Sequence, residues 1–298
     1  MRSVTMKKFF AIAFSVITVL CLFSGCSKAV NFASFDPPQV GEIRVVSYNC
    51  AAPWGNVLEG TGSGTRVKKF AAYMNAVKPD SIGTQEMNQK WLDKLSSIMS
   101  DYDSYGVIRG GDDNANKSEM NAVFWLKDKY TAEASGTFWL SETPDTESKY
   151  EGAGCYRICT WVLLKNKETG EQYIHMNTHL DNASEEAANY GAEVISDKMD
   201  ELTALYDCKI VLTGDFNEVA GMIAYNTIAV KLQDTNVASG NEVKKTTYQA
   251  WGKTDYGEAI DFIFTTNGLP VSQYKVLDDL SNGYVSDHYG IMADFALE

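Results

Sequence analysis

The sequence predicts a domain of the α/β or α+β class, built on sheets covered by helices, and three observations support this. Short β-rich apolar runs alternate with helix-like stretches along the whole chain. The 298 residues are 45% hydrophobic and 22% charged, enough for one large globular domain, or at most two, with a sizeable buried core. No internal repeat or low-complexity tract interrupts the alternation.

Residues 1–25 stand apart from that domain. Lys7 and Lys8 precede an uncharged apolar run from Phe9 to Phe23, too short and wrongly flanked for a membrane-spanning helix, so it is a secretory signal. It ends in Leu22-Phe23-Ser24-Gly25-Cys26, which resembles the lipobox of bacterial lipoproteins. The resemblance implies a lipidated Cys26, a membrane attachment and a cell-envelope location outside the cytoplasm; an ordinary secretory signal is the alternative. Residues 26–41, with Asp36-Pro37-Pro38, are then a tether, and residues 42–298 the domain.

Within the domain, eight strands are predicted: Ile43–Tyr48, Ser81–Thr84, Ala122–Leu126, Ile158–Leu164, Tyr173–Thr178, Lys209–Thr213, Ala259–Phe264 and Gly290–Ala296. Three helices join them. Val67, Phe70, Ala71, Met74 and Val77 recur at helical spacing before Pro79, and Trp91, Leu92, Leu95, Ile98 and Met99 do likewise. The third, Glu185–Tyr206, has Ala188, Ala192, Ile195, Met199 and Leu202 on one side. Gly55–Thr65, Gly110–Ser118 and Glu147–Gly154 are predicted loops; no Gly-Lys-Ser/Thr follows the first, which removes a P-loop.

Charge and cysteine usage narrow the function classes. Loss of Arg2, Lys7 and Lys8 with the signal takes the formal charge from −13 to −16, which disfavours tight non-specific binding of nucleic acid without excluding nuclease chemistry at one cleft. Cys50, Cys155, Cys159 and Cys208 remain in the domain and form no zinc-type pair. Cys155 and Cys159 are too far apart to bridge if their segment is extended; a Cys50–Cys208 bridge stays open beside simple burial of all four.

Chemistry enters at the strand ends. Val45-Val46-Ser47-Tyr48 leads into Asn49, Ile82-Gly83-Thr84-Gln85 into Glu86, Ile174-His175-Met176-Asn177-Thr178 into His179, and Ile210-Val211-Leu212-Thr213-Gly214 into Asp215 and Asn217. One such ending is a solvated turn. Several together, of types suited to divalent cations and phosphate, point to a site at one sheet edge. The set Ser47-Tyr48-Asn49, Gln85-Glu86, Asn177-Thr178-His179-Leu180-Asp181, Gly214-Asp215-Phe216-Asn217, Asp261-Phe262-Ile263 and Ser286-Asp287-His288 resembles, in order, the motifs of the endonuclease/exonuclease/phosphatase superfamily. Gly136–Pro144 resembles its secreted bacterial branch.

The resemblance spans about Ile43 to Phe295 and implies a four-layered α/β/β/α sandwich of two mixed sheets that hydrolyses phosphate mono- or diesters with Mg²⁺ or Mn²⁺. It implies Glu86 as principal metal ligand, assisted by Asn49, because Mg²⁺ prefers hard oxygen donors. Asp215 would accept the proton of the attacking water, and Asn217 would hold a phosphate oxygen or that water. His179 would donate to a non-bridging oxygen, His288 would contact the phosphate, and Asp261 would fix the His288 tautomer. Asp287 would be a metal ligand or water-orienting carboxylate.

Arg157 fits a phosphate clamp or a structural role equally well. Two departures from the secreted branch are Ser118-Glu119-Met120-Asn121, which leaves Glu119 without a role, and Asn189 where an arginine is expected. His175 is predicted as a satisfied interior histidine, and Trp54, Trp139 and Trp251 as packing residues. The partners implied are a phosphoester (small molecule, lipid headgroup or nucleic acid) and the membrane, for a monomeric chain. The competing class is a non-catalytic surface binding protein that retains the scaffold.

Overall fold

The computed structural model describes residues 30–54, 61–111 and 118–298. The signal, Cys26 and parts of two predicted loops lie outside these residues. Among those described, no helix is long and apolar enough to cross a membrane.

Among the described residues, twelve strands form two six-stranded sheets. The first holds β1 (Glu42–Asn49), β2 (Ser81–Gln85), β3 (Tyr102–Tyr105), β4 (Val123–Leu126), β11 (Val271–Leu277) and β12 (Gly290–Ala296), in the order β11-β12-β1-β2-β4-β3. The second holds β5 (Tyr130–Trp139), β6 (Ile158–Asn166), β7 (Gln172–His179), β8 (Lys209–Asp215), β9 (Leu232–Asp234) and β10 (Asp261–Thr266), in the order β5-β6-β7-β8-β10-β9. Only β1–β2 and β7–β8 pair in parallel, each across a helical connection. Helices α1 (Ser63–Val77) and α2 (Gln89–Ile98) cover the first sheet; α3 (Glu185–Tyr206) and α4 (Ile223–Ala229) cover the second, and α5 (Thr235–Ala238) follows β9. A third apolar core, including Val45, Val123, Val211 and Phe295, lies between the sheets. The architecture is the four-layered α/β/β/α sandwich.

All eight expected strands are present, Gly290–Ala296 with its predicted bounds and the other seven with shifted ends, and β3, β5, β9 and β11 are additional. Helix α3 has the expected bounds, capped by Ser184, which accepts the Ala187 N–H, with Glu185 and Glu186 in its first turn. Helix α1 begins at Ser63, so Ser63–Thr65 leave the predicted loop. The four cysteines of the domain are free; Cys50 and Cys159 are buried, while Cys155 and Cys208 are only half-buried. Cys155 sits in a bend before β6 rather than in an extended run.

The stretch from Val30 to Gly41, expected as a tether, is laid against the domain. Phe32 stacks on Tyr73 of α1 with centroids 4.1 Å apart, the Phe35 N–H donates to Ala76 O, and Arg44 donates to Asp36 O. Two aromatic rings within four residues gain more by packing on α1 than by remaining in water.

Strand periodicity explains where the chemistry lies. In β1 the side chains facing the other sheet run Ile43, Val45, Ser47, Asn49, while Val46 and Tyr48 pack toward the helices. By the same period β7 turns His175, Asn177 and His179 inward, β8 turns Val211, Thr213 and Asp215, and β10 opens on Asp261. The space between the sheets is therefore apolar at one end and polar at the other. In the polar half, Gln85 donates to Ser47 and Asn177, Asn177 donates to Thr84 O, and His175 bonds Ser81 and Thr213 at 2.8 and 2.9 Å. His175 is the satisfied interior histidine expected, and burial drives its pKa down to about 3. Gly83 makes room for this layer, since a Cβ there would lie 1.9 Å from Thr213 Oγ1.

Candidate active site

The parallel pairs end in register: Asn49 opposite Gln85 in one sheet, His179 opposite Asp215 in the other, with Asp261 opposite Asp215 on its far side. Asp215 Oδ2 is the point on which the groups converge. Asn49 Nδ2 donates to it at 2.9 Å, and Nε2 of both His179 and His288 lies 3.6 Å away. Asp215 Oδ1 accepts the Asn217 N–H, and Asn217 Nδ2 lies 2.9 Å from His179 Nε2 and donates to Leu180 O. His288 Nδ1 bonds Asp261 Oδ2 at 2.8 Å. With that nitrogen committed to Asp261, Nε2 is the one turned to Asp215.

Beside this row stand the oxygen donors. Asn49 Nδ2 also reaches Glu86 Oε1 at 3.2 Å. Burial first, then the Glu119 and Asp287 carboxylates, push the Glu86 carboxyl up to about 7. A carboxylate disfavoured in this way is stabilised by a divalent cation, and the hard oxygens of Glu86 and Asp287 fit one of the Mg²⁺ type; Asn49 Oδ1, which accepts the Ala51 N–H at 3.0 Å, would have to turn to join them. Asp215, Asp261 and His288 also offer three atoms within 4.8 Å of one another. That set is instead a carboxylate–imidazole–carboxylate row, because the His288 ring is already bonded within it.

The two histidines differ in charge. Burial, with Arg157 and Arg109 nearby, holds His179 well below its ordinary pKa, so it is neutral. Burial alone would lower His288 too, but Asp261, Asp215 and Asp287 outweigh it and raise the imidazole to about 10. Asp215 is pushed up to about 6, by burial and then by Asp261. Neither imidazole therefore titrates near the ordinary value of 6.5.

Arg157, 94% buried, bonds Asp181 through Nε at 3.3 Å and Asn182 through Nη2 at 2.9 Å, and its Nη1 is buried without a partner. Arg109 pairs with Glu119 at 2.7 Å, and its carbonyl accepts from Trp139 Nε1. Glu119 thus acquires a place between Arg109 and Glu86. Asn189 is on α3, half-buried, with Oδ1 unpartnered. Trp54 is 56% exposed and Trp251 partly so, which removes them from the core. Sequence reasoning missed Arg109 and the exposed Tyr248, whose ring lies 5.0 Å from His288; only the fold brings them here. A surface cleft of about 870 Å³ around Cys208 and Thr266 contains none of these groups.

Backbone strain marks the same place. Of seven non-glycine residues at positive φ among those described, Lys78 and Asp207 close α1 and α3; the others are Ala51, Glu86, Asn217, Ala250 and Trp251, all in the site or on loops bonded to it. Each costs about 1–2 kcal/mol, which the surrounding bonds must offset.

Comparison with known proteins gives a consistent result. The chain is similar to a mannosyl-6-phosphatase of Bacteroides thetaiotaomicron, at 30% identity over 85% of this chain and 99% of that one, with a TM-score of 0.79. An endonuclease/exonuclease/phosphatase from Bacteroides vulgatus is 29% identical over 86% and 99% of the two chains, with a TM-score of 0.78. The human Nocturnin catalytic domain, at 20% identity over 87% and 94%, shares the fold with a TM-score of 0.70. No curated protein sequence matches. The family model for Endonuclease/Exonuclease/phosphatase matches residues 46–288, the span that carries every strand-end residue converging on Asp215, and the chain belongs to that family.

Proposed function

We propose that the protein hydrolyses phosphate monoesters of small sugar-like alcohols by direct attack of water, with Mg²⁺ or Mn²⁺ as cofactor. The observation that carries this reading is the convergence of Asn49, His179 and His288 on Asp215 Oδ2. Asp215 accepts the proton of the attacking water, and its raised pKa suits a base working near neutrality. His288, a cation oriented by Asp261, offsets charge building on the phosphate oxygens; neutral His179 and the Asn217 amide hold those oxygens without adding charge. Glu86, Asn49 and Asp287 would hold the ion, which supplies a Lewis acid for the phosphate and leaving oxygens. Arg157 and Arg109, beside His179, suit the dianion of a monoester. The likeness to a mannosyl-6-phosphatase supports the same substrate class.

The test is release of phosphate from mannose 6-phosphate and p-nitrophenyl phosphate, and of nitrophenol from bis-p-nitrophenyl phosphate, with Mg²⁺, Mn²⁺ or EDTA. Turnover of the monoesters only with added ion, and its loss by about 10³-fold or more in Asp215→Asn, is expected. Turnover of none of them with either ion overturns the enzyme reading and leaves the binding protein. Diester cleavage outrunning monoester cleavage overturns the substrate class alone.

The proposal includes a lipid anchor at Cys26, supported by Leu22–Cys26 after the apolar run. Cys26→Ala is expected to move the protein from the membrane to the soluble extracellular fraction. An unchanged distribution rejects the anchor.

A further inference from the structure

Arg66 of α1 is fully buried, and its five N–H donors go to five backbone carbonyls. Nε donates to Thr61 O at 2.7 Å; Nη1 donates to Cys50 O and Val285 O at 2.7 and 2.9 Å; Nη2 donates to Ala51 O and Trp54 O, each at 2.7 Å. The guanidinium carbon lies over two indoles, 5.2 Å from the Trp91 centroid and 4.9 Å from that of Trp251. A cation bonded only to carbonyls, in a fully buried position, is costly unless its geometry is used.

The five carbonyls lie in segments that meet at the oxygen-donor side of the site. Cys50 and Ala51 directly follow Asn49, and the Cys50 and Ala52 N–H groups donate to Gln85 O and Glu86 O. Val285 is two residues before Asp287, whose carbonyl accepts from Gln249 and Ala250 in the loop that carries Trp251. Arg66 is therefore one carbonyl and one further hydrogen bond from Glu86, and two residues from Asp287. It touches neither side chain.

We propose that Arg66 is the positioning residue for the cation site, fixing the loop after Asn49 and the loop before Asp287 at the separation that lets Glu86, Asn49 and Asp287 close on one ion. The inference rests on the reading of those three as cation ligands. Lysine, with three donors on a flexible stem and no plane to stack, cannot reproduce the fork.

The test compares wild type, Arg66→Lys, Trp251→Leu and Glu86→Gln by Mn²⁺ titration, read from the electron paramagnetic resonance of the free ion, alongside melting curves and the kcat and KM of p-nitrophenyl phosphate hydrolysis. Wild type binds Mn²⁺ and Glu86→Gln does not. Arg66→Lys melts cooperatively but binds Mn²⁺ roughly 10–100-fold more weakly, and kcat falls while KM stays within about twofold. A lower melting temperature with unchanged Mn²⁺ affinity and kcat makes Arg66 merely structural and overturns the proposal. Failure of wild type to bind Mn²⁺ overturns the cation reading instead. If Arg66→Lys does not fold, Trp251→Leu decides: it removes one stacking face and leaves all five carbonyl bonds, so weaker Mn²⁺ binding supports the proposal and wild-type affinity overturns it.

Discussion

At the residue scale, the site is a set of carboxylates and imidazoles whose charges are fixed by their neighbours. Asp215 must lose its proton to act as base, and its pKa near 6 places the acid limb of kcat/KM about two pH units above that of an ordinary aspartate. His179 is already neutral there and His288 holds its proton to about 10, so neither imidazole sets that limb. Glu86, near 7 without an ion, binds either a proton or the cation. Raising Mg²⁺ should therefore move the limb to lower pH in proportion to its occupancy; a limb near 4, or one indifferent to Mg²⁺, would remove these roles. The same shifts bear on stability. The folded, cation-free chain keeps protons on Glu86 and Asp215 that the unfolded chain releases near pH 4, so the contribution of these two groups to stability falls as pH rises from 4 to 7, while buried, neutral His175 and His179 contribute in the opposite sense as the unfolded imidazoles lose their protons near 6.5. Calorimetry in EDTA should therefore show wild type losing stability relative to Glu86→Gln between pH 5 and pH 7.5, and saturating Mg²⁺ should reverse that relative loss.

At the element scale, what was legible in the sequence and what was not divides along the sheets. The eight strands predicted are the eight interior ones, and the four missed, β3, β5, β9 and β11, are the four edges. Interior strands are covered on both faces and show continuous apolar runs, as in Val45-Val46 or Ile210-Val211-Leu212; an edge such as Tyr130–Trp139 is half-exposed and carries Thr, Glu and Ser instead. Site residues at strand ends were readable because a carboxylate after an apolar run stands out. Arg66 and Arg109 were not, because their partners are set by loops: Arg66 meets Val285 219 positions away, and nothing local distinguishes it from an exposed arginine on an amphipathic helix. The polar layer between the sheets is the element-scale device that aligns the strand ends. Gly83→Ala should displace Thr213 and Asn177, cost about 1–3 kcal/mol in urea unfolding, and reduce activity without touching any residue of the site. Wild-type stability in that variant would show that the layer yields freely.

At the scale of the whole molecule, two sheets carry the site along one shared edge, and the first described residues run down the outside of α1 toward β1. Phe32→Ala should remove the stack on Tyr73 at a cost of about 1–2 kcal/mol, a fall in melting temperature of roughly 2–6 °C. An unchanged melting temperature would mean the segment is not held. That segment enters beside the loop leading to Asp287: Asn282 donates to Asn31 O, and the chain then passes Ala76 before reaching β1. The segment expected as a tether over residues 26–41 is thus fastened to the domain from Asn31 onward. Under the anchor proposed at Cys26, the point of attachment would stand beside the loop that leads to Asp287. A surface held there would present its phosphates to the enzyme at short range, and would shade the same opening from bulky soluble ones.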